Sequence, residues 1–356
     1  MNPFNFWDFV TYDLGIDLGT SNTLVFIKNK GIMIREPSVV ARKRKVTPQG
    51  NNIGKVIAIG TEAKKMLGKT PDTIEAIRPL RDGVISDFDA AQAMIKYYVE
   101  KIHQTNGVVP KIPRPRVVIG IPSGVTEVER RAVQEAALMS GARKAYLIEE
   151  PMAAAIGAGI PILDPQGQLI VDVGGGTTEI SVISLGGIVI ERCLRVAGDE
   201  LDEAIMNFVR LKHGLIIGSL TAEEIKIAIG SAVPFPNEKQ HVARGRSLEK
   251  GLPQSVKLTS TEIREALAPV ITQIITAIAD TLEETPPELV ADILKNGIVM
   301  AGGGSLLYGI DKAVSEATKM PVWIADDPLT CVARGCGKVL SNEQLLQKVK
   351  VVGGLR

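Results

Sequence analysis

Short apolar, β-prone runs bounded by glycine and proline predict strands over 14–17, 23–28, 31–36, 39–41 and 56–59. Turn-rich stretches at 67–71 and 79–83 lead into a helix over 88–104. There Met94, Ile95, Tyr98, Val99 and Ile102 recur at helical spacing behind a cap at Ser86 or Asp87. The proline-rich segment 106–115 reads as a loop before a strand at 116–121. The next helix, over 127–140, opens on a Thr126/Glu129 capping box and stops at Gly141. A short strand at 145–148 then delivers Glu149-Glu150-Pro151 to a helix beginning near Met152.

The pattern restarts at Leu169. A strand there is followed by a hairpin over 179–185 and 188–192 with Gly186-Gly187 at its turn. Helices are predicted over 199–212 and 222–229, and the charged, Pro/Gly-broken stretch 235–253 reads as an exposed β-rich insertion. The longest helix, 260–284, carries Ile263, Leu267, Ile271, Ile274, Ile278 and Leu282 on one side and is ended by Pro286-Pro287. A strand over 297–301, a glycine turn, a helix over 306–319, a strand over 322–325 and a helix over 328–340 complete the alternation. Strands and helices in this order make the chain α/β. Its two halves follow one plan: an inserted lobe at about 40–80 in the first and about 191–255 in the second.

Composition narrows the picture. A length of 356 residues suits two domains, and 45% apolar residues suffice for their cores. Lys+Arg (41) nearly equals Asp+Glu (40), so no nucleic-acid partner is expected. The basic cluster Arg42-Lys43-Arg44-Lys45 reads as a solvated loop tip. Cys193, Cys331 and Cys336 form no Cys-x-x-Cys pair, and with three scattered histidines they imply reduced, mostly buried thiols in a cytosolic protein rather than a zinc site. No apolar stretch is long enough to be convincing as a membrane span, and the first ten residues lack the basic start of a secretory signal. Those residues nevertheless hold Phe4, Phe6, Trp7 and Phe9 in a chain only 4% aromatic. On a helix Phe6, Trp7, Phe9 and Val10 gather to one side, which favours an interfacial membrane anchor over a flap folded onto the body. The apolar pair Val108-Val109 is read as loop packing ahead of a second membrane contact.

The chemistry lies in a repeat. Asp17-Leu18-Gly19-Thr20-Ser21-Asn22 and Asp172-Val173-Gly174-Gly175-Gly176-Thr177 each follow an apolar strand and open a second one. Glycine lets backbone N–H groups approach a polyphosphate closely, and hydroxyls add local donors. Two strand-ending carboxylates sharing a cleft repel unless a cation lies between them, which points to hydrated Mg²⁺ at Asp17 and Asp172. Either Asp alone could instead cap its own turn; the repetition argues for the ligand. Gly302-Gly303-Gly304-Ser305 is a third glycine turn, a floor under a base and ribose. Glu150, at a strand-to-helix junction, and Thr177 suit the positioning of a hydrolytic water. Glu149 is equally well explained as a solvated helix start.

Together the phosphate-1 (Asp17 to Thr20), phosphate-2 (Asp172 to Thr177) and adenosine (Ala301 to Gly304) motifs resemble those of the actin, heat-shock-chaperone and sugar-kinase superfamily. More specifically, Glu36-Pro37-Ser38-Val39, Ile77 to Ile85, Glu127-Val128-Glu129-Arg130-Arg131, Ile148 to Ala155 and Ala197-Gly198-Asp199 resemble the MreB family of bacterial actins, over about Tyr12 to Leu340. The resemblance implies an actin-like fold: domain I over 12–150, domain II over 151–330, a helix from 331 returning to domain I, and a tail over 1–11. It implies ATP/ADP held by Thr20, Ser21, Asn22, Gly174, Gly175, Gly176 and Thr177, with Glu223, Glu224 and Lys226 around ribose and adenine and Gly302, Gly303, Gly304, Ser305 and Leu306 beneath. It implies Mg²⁺-dependent hydrolysis through Glu150 and Thr177. It also implies paired filaments on the inner face of the membrane that guide the cell-wall machinery of rod-shaped cells. Ser21, where many relatives have alanine, departs harmlessly. Three alternatives stand beside this reading. A chaperone ATPase expects a substrate-binding domain that the chain does not supply before Arg356. A sugar-type kinase expects a catalytic Asp and sugar ligands outside the phosphate motifs. A non-hydrolysing ATP-binding scaffold has no need of Glu150 and Thr177.

Overall fold

In a computed structural model that describes residues 12–28, 30–44, 54–105 and 114–351, the chain divides into two units. Unit 1 comprises residues 1–164, 185–187 and 329–356, and unit 2 residues 165–184 and 188–328. The aromatic tail, Lys45 and the Val108-Val109 pair lie outside the described residues.

Unit 1 is built on a five-stranded sheet ordered Lys144–Glu149, Arg116–Ile121, Leu14–Leu18, Asn22–Ile27, Gly31–Pro37. The first three strands are parallel, and the last two are added as antiparallel hairpins. Unit 2 repeats the plan: Val322–Ile324, Ile298–Ala301, Gln168–Val173, Thr178–Ser184, Gly187–Leu194, with the same parallel and antiparallel halves. In both sheets the middle strand is the one that carries the repeated Asp, as its last residue but one. Each unit also carries a three-stranded sheet: Val56–Ile59, Val40–Lys43, Ile74–Ile77 in the first and Leu215–Ile216, Gln240–Ser247, Pro253–Thr259 in the second. Two related α/β units of this kind make an actin-like fold.

Strand alternation sorts the side chains. Leu14, Ile16 and Leu18 enter the unit 1 core with Met94, Ile95, Tyr98, Val99 and Ile102 of the helix Phe88–Thr105. Leu169, Val171 and Val173 enter the unit 2 core with Ile263, Leu267, Ile271, Ile274 and Ile278 of the helix Ser260–Glu284. Among the described residues this last helix is the one long and apolar enough to cross a bilayer, which the sequence reading did not single out; its apolar side is spent on the core.

Several elements differ from expectation. The helix Pro287–Asn296 stands where Pro286-Pro287 was read only as a stop. Proline at the first helical position lacks an N–H that would have no partner there, so the pair ends one helix and starts the next. In place of a helix over 306–319, a 3₁₀ turn at Gly303–Leu306 precedes a helix at Ile310–Thr318. Gly309 interrupts them with φ of 74°. Short helices at Thr61–Lys64 and Glu343–Val349 were not anticipated. Arg42 is not at a solvated loop tip: it lies on the strand Val40–Lys43 and pairs with Asp87 at 2.8 Å and Glu75 at 3.3 Å.

The chain enters unit 1 at a fixed point. The Tyr12 N–H donates to His103 Nε2 at 3.2 Å, while His103 Nδ1 donates to the Val99 carbonyl at 2.7 Å, an assignment that follows from the acceptor role of Nε2. Lys30 donates to the Tyr12 hydroxyl at 2.9 Å. Burial lowers the His103 pKa, because the imidazolium would lose its hydration. The three cysteines are thiols outside any disulfide, with Cys331 and Cys336 buried and Cys193 exposed.

Candidate functional site

In unit 1 the face of the Leu14–Leu18 strand opposite the core carries Gly15 and Asp17. The helix Cys331–Ser341 packs so tightly on it that a Cβ at Gly15 would lie 2.6 Å from the Gly337 nitrogen. Asp17 pairs in register with Gly120 of the neighbouring strand. A Cβ at Gly120 would meet Glu150 Cγ at 3.3 Å and Cys336 Sγ at 4.0 Å, so Asp17, Glu150 and Cys336 gather around one bare glycine. The Cys336 thiol records the crowding: burial first, then the Asp17 and Glu150 charges, push its pKa well above the ordinary value. Glu150 itself is buried at the first position of the helix Glu150–Ala158, whereas Glu149 is the half-buried cap before it.

The loop after Asp17 is tied down by residues the sequence reading did not assign. The Ser38 hydroxyl donates to the Gly19 carbonyl at 2.6 Å, and the Ser38 N–H donates to the Ser21 carbonyl at 3.0 Å. The Gly83 N–H donates to the Thr20 hydroxyl at 3.0 Å. Gly83 is the tip of an Asp82-Gly83 hairpin turn in which both residues have positive φ, 49° and 75°. Gly19 has no room for a side chain, since a Cβ would lie 2.8 Å from the Asn22 carbonyl oxygen.

Unit 2 builds the second loop in parallel. Asp172 is buried, and burial alone pushes its carboxyl up to about 7. It pairs in register with Ala301, and the following Gly302, at φ of 79°, lies against it: a Cβ there would be 2.3 Å from Asp172 Oδ1 and 2.3 Å from the Val173 carbonyl oxygen. Gly304 presses on the Val173 side chain, and the Ser305 hydroxyl donates back to the Gly302 carbonyl at 2.6 Å. The turn closes through a Gly174 N–H to Thr177 carbonyl bond of 2.8 Å. The N–H groups of Gly198 and Asp199, at the start of the helix Gly198–His213, donate to the carbonyls of Gly174 at 3.2 Å and Gly175 at 2.7 Å. Thr177 is buried beside them.

Lys226 is engaged by this same scaffold: it donates to the Gly198 carbonyl at 2.7 Å and pairs with Asp202 at 2.9 Å. Desolvation raises the Asp202 carboxyl to about 6 despite that partner. Thus Asp17, Thr20, Ser21, Asn22 and Glu150 are assembled within unit 1. Asp172, Gly174 to Thr177, Gly302 to Ser305 and, through Gly198, Lys226 are assembled within unit 2. Glu223 is half-buried and close enough for its charge to act on Asp202. Glu224 and Leu306 are exposed, and Glu224 makes no hydrogen bond or ion pair among the described residues.

The donor set is suited to Mg²⁺, whose preferred ligands are hard oxygens. A buried carboxyl that desolvation drives toward neutrality regains its charge when a cation accompanies it. Among the described residues no three His, Cys, Asp or Glu side chains converge as a metal cluster, so phosphate and water oxygens would complete the shell. Ser38, Gly83, Gly198 and Asp202 brace the loops. Ser38, Gly83 and Gly198 fall inside the motifs that carry the resemblance; Asp202 had no signal beyond its helix.

The MreB/Mbl protein family model matches residues 11–348. The cell shape-determining protein MreB of Escherichia coli (strain K12) is 49% identical over 328 residues, covering 92% of this chain and 93% of that protein. The crystal structure of MreB5 of Spiroplasma citri bound to ADP superposes with a TM-score of 0.86 at 38% identity, covering 95% of this chain and 98% of the other, and the same protein bound to AMPPNP gives the same values. A MamK double helical filament matches with a TM-score of 0.76 at 26% identity, covering 93% and 99%.

Proposed function

The chain belongs to the MreB/Mbl family, and on that premise we propose that it is an ATP-binding and ATP-hydrolysing bacterial cytoskeletal protein. It polymerises into membrane-associated filaments that set rod shape by organising cell-wall synthesis. The observation that carries this reading is the pair of loops, each an Asp next to last in its strand followed by a glycine turn whose carbonyls are tied back by its own unit. Such loops offer their N–H groups to phosphate.

Thr20, Ser21 and Asn22 and the run Gly174 to Thr177 cradle the phosphates, and Gly302 to Leu306 with Glu223, Glu224 and Lys226 receive the ribose and base. Mg²⁺ held through water at Asp17 and Asp172 supplies charge neutralisation to the phosphates. Glu150 and Thr177 orient the attacking water. Glu150 suits this because it is a buried carboxyl at the start of its helix, gathered with Asp17 around the bare Gly120. Support for nucleotide binding comes from the ADP-bound and AMPPNP-bound MreB5 structures, and for self-association from the MamK filament. The protein is then cytoplasmic and peripheral on the inner membrane, with the cell-wall elongation proteins as partners.

Sedimentation with Mg²⁺ and ATP, alongside phosphate release, tests the proposal. Pelleting filaments and steady phosphate release are expected. Glu150→Ala should bind ATP yet hydrolyse it about 10²-fold more slowly. Absence of both polymer and phosphate from the unaltered protein would overturn the reading, and unchanged turnover in Glu150→Ala would remove that residue's role.

A further inference from the structure

Ser38 has no exposed surface and belongs to neither repeat, yet it makes both of the hydrogen bonds that fix the first loop's carbonyls. Its hydroxyl proton goes to the Gly19 carbonyl, so the 2.8 Å contact with Thr23 Oγ1 must be donated by Thr23. The chain of donation runs Thr23 to Ser38 to Gly19, entirely within unit 1. A trans peptide carries its C=O and the next N–H on opposite sides, and the described residues contain no cis peptide. Turning the Gly19 and Ser21 carbonyls toward Ser38 therefore turns the Thr20 and Asn22 N–H groups away from it. Without the brace, both peptide planes can rotate about the small residues of the loop, where Gly19 adds backbone freedom.

We propose that Ser38 is a positioning residue for polyphosphate: it never touches the ligand but holds the Thr20 and Asn22 N–H groups aimed at it. This rests on the proposed ATP site. It extends that site to a serine two strands away whose loss should act on phosphate affinity rather than on water attack, because Ser38 braces neither Glu150 nor Thr177.

The test compares Ser38→Ala with Ser140→Ala. Ser140 is likewise buried in unit 1, and its hydroxyl donates to the Ala136 carbonyl at 2.6 Å, so it controls for losing a buried hydroxyl remote from the loop. Binding of ATP and ADP with Mg²⁺ is measured by calorimetry, with KM and kcat from phosphate release and Tm for each variant. Ser38→Ala should weaken ATP binding and raise KM about tenfold, the scale of one lost orienting hydrogen bond, with kcat within about threefold. Ser140→Ala should lower Tm similarly and leave affinity within about twofold. Should Ser38→Ala not fold, Thr23→Val tests the same relay, since it removes the donor that orients Ser38; a smaller loss of affinity with unchanged kcat is expected. Unaltered affinity in a folded Ser38→Ala, or equal losses in both serine variants, overturns the inference and leaves the ATP site standing. Failure of the unaltered protein to bind either nucleotide removes both.

Discussion

His103 accepts the Tyr12 N–H only while its Nε2 lone pair is unprotonated. Among the described residues no carboxylate pairs with the ring, and Lys30 lies over the Tyr12 ring at 4.2 Å and adds positive charge at the same corner. With its folded pKa lowered, the neutral ring contributes stability that is fully present above the unfolded value of about 6.5 and is lost as pH falls through the folded value. Thermal melts between pH 7.5 and 5 should show this decline, and His103→Gln, which keeps an acceptor but does not titrate, should flatten it. An identical pH slope in the variant would exclude His103 as the origin. At this scale the loop residues are legible in the sequence as a repeated motif, and what holds them in place is not. The types Asp, Gly and Thr announce phosphate chemistry. That Thr20 accepts from Gly83, or that Lys226 is paired with Asp202, depends on contacts between segments far apart in the chain.

Among elements, the helices Glu150–Ala158 and Cys331–Ser341 touch through their backbones. A Cβ at Gly335 would lie 1.8 Å from the Ala153 carbonyl oxygen, and one at Gly157 would lie 1.8 Å from the Cys331 carbonyl oxygen. Lys338 from the second helix donates to the last carbonyls of the first, Ile156 at 2.8 Å and Gly157 at 3.3 Å. The first helix begins with Glu150, so their spacing sets the depth of that carboxylate. Gly335→Ala must push the helices apart, at a cost of about 2–3 kcal/mol, and should also reduce ATP turnover. Gly218→Ala, with nothing within 4 Å of its Cβ, should stay within about 1 kcal/mol. Chemical denaturation and phosphate release on both variants would check this; a neutral Gly335→Ala would mean the helices can separate freely. The hydrophobic period made most helices legible, as at Ser260–Glu284, whose bounds match the expectation. Failures came where one residue type has two meanings: Pro287 starts a helix as readily as Pro286 stops one, and the Leu306-Leu307 run continues an apolar pattern although Gly309 breaks the helix.

For the whole molecule, the two sheets share one strand order, so the duplication suspected from two loops extends to the architecture of both units. The inserted sheets differ in length and sequence, which is why the repeat is faint outside the loops. The proposed membrane contact rests on the aromatic residues among positions 1–10. Flotation with anionic liposomes should carry the full chain upward and leave behind a chain lacking residues 1–10, most clearly when polymer multiplies the weak single anchors. Equal flotation of the two would assign membrane contact elsewhere or abolish it.

The placement of the three thiols has a practical corollary. Cys331 and Cys336 are shut in the seam between two helices and the sheet of unit 1, and the second is further silenced by its acidic neighbours, while Cys193 is exposed on the edge strand of unit 2. A maleimide dye added to the native protein therefore marks one atom per chain. The ratio of labels before and after denaturation, one to three, becomes an internal gauge of how much of a preparation is folded.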